Sequence, residues 1–112
     1  VSIFAEEIEE LAGNEPIEGV VIGIYGGYSF EDEQDDRPAG NPLPTALRGQ
    51  LLSWAEARPY LAYEWDTSFG GAECHPVYVW TPTKVIAIHE YDGSTSLSWL
   101  PRNPEPGKPE FV

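Results

Sequence analysis

Two runs of alternating apolar residues, KVIAIHE (84–90) and TSLSW (95–99), flank Asp92-Gly93. That dipeptide constrains the fold more than any other feature of the chain. A type I′ connection needs positive φ at both central residues, which Asp and Gly tolerate, and it returns the chain antiparallel to itself. A second tight connection, Thr81-Pro82-Thr83, joins PVYVW (76–80) to the first run. Strands linked this closely form an antiparallel meander, because parallel neighbours need a crossover of about a dozen residues or more. YLAYEWD (60–66) alternates too, with Leu61, Tyr63 and Trp65 on one side and Glu64 and Asp66 on the other. It is read as a fourth strand of the meander, followed by a glycine-containing loop, TSFGGAECH (67–75).

The N-terminal half adds different periods. In IFAEEIEELA (3–12), Phe4, Ile8 and Leu11 fall on one face of a 3.6-residue repeat, which predicts an amphipathic helix capped by Ser2 and stopped at Gly13-Asn14. GVVIGIYGGY (19–28) is continuously apolar and bounded by glycines, as for a strand covered on both faces. The stretch from Asn41 to Arg58 predicts a second helix, with Asn41 or Thr45 as N-cap, Leu43, Leu47, Leu51 and Trp54 on one face, and Pro59 as its stop. Gly49 inside it would allow close approach to the sheet. The expected fold is α+β: two helices packed on a mainly antiparallel sheet of about five strands. At 112 residues, one domain is expected over 1–100, with a Pro-rich extended tail over 101–112.

Charge is distributed unevenly. Residues 1–36 hold eleven acids and no base, whereas 37–112 hold eight acids and six bases, within a net charge of −13. This argues against direct binding to nucleic acid or anionic membrane, both of which need cations on the protein. A basic protein surface is the expected partner, and solubility alone is the competing explanation. The carriers are Glu6, Glu7, Glu9 and Glu10 of the first helix together with Glu31, Asp32, Glu33, Asp35 and Asp36 of SFEDEQDDRP (29–38). Carboxylates ranked on a rigid scaffold can imitate phosphate spacing and fill a cationic groove. The acidic segment lacks the ligand spacing of a calcium loop, and a solvated loop does not perturb a carboxylate for acid–base work.

Other chemistry is sparse. Cys74 is the single cysteine, so no internal disulfide forms, and a reducing cytoplasmic setting in a bacterial host is expected. No apolar run approaches the roughly 18 residues that span a bilayer, and no signal-peptide pattern is seen. An enzyme would need Cys74, His75 and His89 to converge, and zinc would need an acid such as Asp66 or Glu90 beside them, without any ligand spacing to support it. The expectation is no catalytic residue, no metal and no cofactor. The glycine runs GIYGGY and FGGAE match neither nucleotide-loop pattern. Tyr60, Tyr63, Trp65, Tyr78, Trp80, Tyr91 and Trp99 are read mainly as core, with one or two lining a contact surface.

YEWDTSFGGAECHPVYVW and EYDGSTSLSWLPRNP resemble small orphan proteins of actinobacterial phages and related mobile elements. The resemblance covers the C-terminal half, most distinctively Tyr91–Thr95 and Pro101–Pro104. These relatives carry no assigned activity, so the resemblance implies an origin and no site residue. The resulting expectation is a non-enzymatic acidic interaction protein, in the form of a phage-encoded inhibitor that fills a basic, nucleic-acid-binding site on a host protein. The alternatives are an immunity protein against a basic toxin and a small assembly protein, and the oligomeric state is left open.

Overall fold

The computed structural model describes residues 2–25, 42–65, 74–91, 94–104, 106–107 and 109. Its order is β1 (Ser2–Ile3), α1 (Phe4–Ala12), β2 (Gly19–Ile22), a 3-10 turn (Thr45–Leu47), α2 (Trp54–Leu61), β3 (Glu64–Trp65), β4 (Val77–Trp80), β5 (Lys84–Tyr91) and β6 (Ser94–Pro101). The fold is α+β, with two α-helices and antiparallel sheets among the described residues. In place of one sheet of about five strands there are two: a four-stranded sheet ordered β2-β4-β5-β6 and a two-stranded pair, β1-β3. YLAYEWD therefore leaves the meander. Its N-terminal part belongs to α2, and only Glu64–Trp65 is strand, paired with Ser2–Ile3. The burial expected within that segment survives the change, with Trp65 buried and Glu64 exposed.

The hairpin reads as its turn dipeptide requires. Tyr91 pairs with Ser94, leaving two residues between the strands, and the register continues to Lys84 opposite Pro101. Asp92 and Gly93 themselves lie outside the described residues. Val20, Ile22, Val77, Val79 and Ile86 form the covered side of the sheet, packed with Phe4, Ala5 and Ile8 of α1 and Ala57 and Leu61 of α2. β2 is not buried on both faces as its continuous hydrophobicity suggested, since Val21 points outward and is only half-buried. Residues opposite one another in an antiparallel pair share a side. Ile86, Ile88 and Glu90 therefore place Trp99, Leu97 and Thr95 on the helical side.

α1 starts without a side-chain cap, because Ser2 is held in β1, and it ends at Gly13 with φ +64°. The second helix departs most from expectation. Gly49 takes φ +71°, a conformation that breaks a helix, and its N–H donates to the Ile22 carbonyl at 2.9 Å. Instead of tucking a helix against the sheet, Gly49 ends one. Leu52 then bridges Val20 as extended chain, and Leu51 is left exposed. Asn41 lies outside the described residues, and Thr45 opens the 3-10 turn. The effective cap is Ser53: its hydroxyl accepts from the Glu56 N–H at 3.1 Å, and the Glu56 carboxylate accepts from the Ser53 N–H at 3.0 Å. This reciprocal box satisfies two otherwise unpaired amides. Pro59 does not end α2, which continues to Leu61. The hydrogen bond that proline removes is outweighed by full burial of Ala57 and Leu61 on the inner face.

Pro101 is the last residue of β6. The Arg102 N–H donates to the Thr83 carbonyl at 2.9 Å, and its guanidinium reaches the Thr81 carbonyl at 3.0 Å.

Candidate acidic surface

Six of the N-terminal acids lie on described residues, and their side chains divide sharply. Glu9 faces α2. It accepts from Arg58 Nε at 2.9 Å, Arg58 Nη2 at 3.1 Å and Trp54 Nε1 at 3.0 Å, so one carboxylate joins the two helices. The Arg58 bond, aided by Trp54, holds the Glu9 carboxyl below its ordinary range against a smaller desolvation effect, and the same bond raises Arg58. Glu7 accepts from the indole N–H of the buried Trp65, locking α1 to β3. Glu15 gathers the Thr81–Thr83 turn, accepting from the Thr83 hydroxyl at 2.6 and 2.8 Å, the Thr81 hydroxyl at 2.8 Å and the Thr83 N–H at 3.0 Å. The threonine hydroxyls lower its pKa. Glu18 pairs with Arg102.

Glu6 and Glu10 are the exceptions: both are exposed, one turn apart on α1, without a bracing bond among the described residues. The fold thus uses four of these acids as braces and presents two. Glu31, Asp32, Glu33, Asp35 and Asp36 lie outside the described residues.

Beside Glu10, the cleft between α1 and the start of β6 has a volume of about 420 Å³ and is lined by Glu7, Glu10, Leu11, Trp65, Thr95 and Leu97, with Ser94 and Ser96 at its edge. Thr95 is fully buried there, and its Oγ1 has no hydrogen-bond partner. Single-sequence reading missed this cleft. Its only trace was the serine and threonine density of STSLS at the strand start.

Cys74 and His75 are both buried. Burial, with a contribution from Glu90, pushes the Cys74 thiol up to about 12, so it stays protonated near neutrality. His75 Nδ1 lies 3.0 Å from the Tyr63 hydroxyl, and the His75 N–H donates to that hydroxyl at 2.8 Å. His89 is on β5, opposite Ser96 and on the side facing away from the helices. Among the described residues, no three His, Cys, Asp or Glu side chains converge as metal ligands.

The aromatic residues split as well. Trp65 is core, its ring tilted against that of Phe4 with centroids 4.7 Å apart. Tyr78 and Trp99 are exposed and lie outside the core. Tyr78 meets Trp80 edge-on at 6.1 Å on the outer side of the sheet, and the Lys84 ammonium sits 5.0 Å from the Trp99 ring. Among the described residues, no helix is long and apolar enough to cross a membrane. No protein-family model, curated protein or solved structure matches the chain.

Proposed function

We propose that this chain is a non-enzymatic acidic protein that docks on a basic surface of another protein. The observation that carries the reading is the outward pair Glu6 and Glu10, exposed on a helix whose other carboxylates brace the fold. Here α1 is fixed by the burial of Phe4, Ala5 and Ile8 and by bonds from Glu7 and Glu9 to two other elements. Charges on such a scaffold keep their backbone spacing, so no backbone order is lost when a cationic groove closes over them. The segment 31–36 adds five carboxylates to the same N-terminal third. The finer form of the proposal is inhibition by phosphate mimicry: a phage-encoded protein filling a host protein's nucleic-acid groove.

Capture from bacterial lysate, with wild-type chain and the Asp35→Lys/Asp36→Lys variant side by side, tests this reading. A defined basic protein retained at low salt, released as salt rises and lost with the variant is the expected result. Identical captured proteins for both chains would overturn it.

A further inference from the structure

The geometry points to the α1–β6 cleft as a binding site for a primary alkylammonium group, delivered by a lysine side chain of the docked partner. The inference rests on the proposed function only for that source; the ammonium chemistry stands on the cleft itself. Three of its acceptor groups carry the inference, with the Ser94 and Ser96 hydroxyls at the edge beside them. Glu7 has one oxygen committed to the Trp65 indole N–H, which fixes the carboxylate at the wall and leaves its second oxygen available. Glu10 is exposed at the rim. Thr95 Oγ1 is fully buried without a partner on the side of β6 facing α1. A buried hydroxyl with nothing to bond is a cost to the fold, so a ligand donor that reaches it recovers what the folded chain lacks.

An alkylammonium matches this set in charge and in shape. It carries three N–H donors and no acceptor, against two carboxylates and one hydroxyl. Its methylene stem needs apolar walls, as lysine stems do elsewhere, and Leu11, Leu97 and the Trp65 ring supply them. A divalent cation fits less well. Calcium takes about six to eight oxygens, and among the described residues no third carboxylate, cysteine or histidine joins the pair.

The test is amide chemical-shift titration of the full chain with Nα-acetyl-lysine N-methylamide, n-pentylammonium, 1-pentanol and calcium chloride. The expected result is saturable shifts confined to residues 7–11 and 94–97 with either amine and none with pentanol. Thr95→Val and Glu10→Gln should each weaken the amines about tenfold, the loss of one bond to a charged group. Thr95→Val should not lower the melting temperature, because the hydroxyl it removes is unpartnered, and Glu10→Gln, at an exposed position, serves as an independent probe. Tighter binding of the lysine amide assigns the site to a partner's side chain; tighter binding of pentylammonium assigns it to a free amine. No shifts at tens of millimolar amine, equal shifts with pentanol, preferential binding of calcium, or unchanged affinity in both variants would each overturn the inference. Amine binding that persists while lysate capture is insensitive to Asp35→Lys/Asp36→Lys would leave this site standing and remove the larger docking reading.

Discussion

Replacing Glu9 by glutamine separates bracing acids from presented ones. The carboxylate receives three hydrogen bonds, two from Arg58 and one from Trp54, across the α1–α2 contact. An amide keeps the shape, loses the charge and can no longer accept at both ends. Both ion-pair side chains are 40% exposed, so solvent screens the attraction, and the loss should be about 1 kcal/mol rather than the several expected of a buried pair. For a domain of this length that is a fall of roughly 4 °C in melting temperature. The pH dependence has a definite sign. Because the Glu9 carboxyl is held below its ordinary value, its contribution is complete above the unfolded glutamate pKa, about 4.3, and fades as pH falls through the folded value. The gap between wild type and Glu9→Gln should thus be full at pH 7 and shrink below about pH 4. Thermal melts by circular dichroism at pH 7, 5 and 3, with an Arg58→Gln cycle, measure it. A gap independent of pH, or additive effects of the two substitutions, would refute the bridging role.

Ser53→Ala removes half of the reciprocal box that starts α2 and should cost about 1 kcal/mol in urea denaturation; no change would mean the extended 50–53 segment, not the cap, sets the start of the helix. Gly49→Ala forces a side chain into φ +71° and should destabilise by about 1 kcal/mol in the same assay, whereas a helix through this position would be stabilised. Cys74 should resist iodoacetamide at pH 8 in the native state and react promptly in denaturant, read by mass spectrometry, because its thiol is buried and pushed up to about 12. Rapid native labelling would contradict that burial.

The parts of the fold set by local chemistry were legible from residues alone. Asp92-Gly93 announces the β5–β6 hairpin, Phe4 and Ile8 mark the inner face of α1, and Gly13 marks its end. Failures came where a tertiary contact overrides a local signal. Leu43, Leu47 and Leu51 have helical spacing, yet Gly49 turns its amide to Ile22 and leaves Leu51 in solvent. Pro59 reads as a stop, but burial of Leu61 carries the helix past it. The acids of α1 look alike in the sequence. Only partners 45 or more residues away, Trp54, Arg58 and Trp65, decide that Glu7 and Glu9 turn inward while Glu6 and Glu10 do not. The cleft was invisible for the same reason, since Thr95 meets Glu7 and Leu11 only after the sheet has formed.

Position, rather than total charge, is what the account makes responsible for binding. Glu6→Lys/Glu10→Lys and Glu105→Lys/Glu110→Lys both move the net charge from −13 to −9, as two reversals of two units each. Affinity of the captured basic partner for these two variants, measured at one ionic strength, is the most direct test. The first should bind at least about tenfold more weakly and the second close to wild type. Equal losses from both would show that bulk charge alone governs the association.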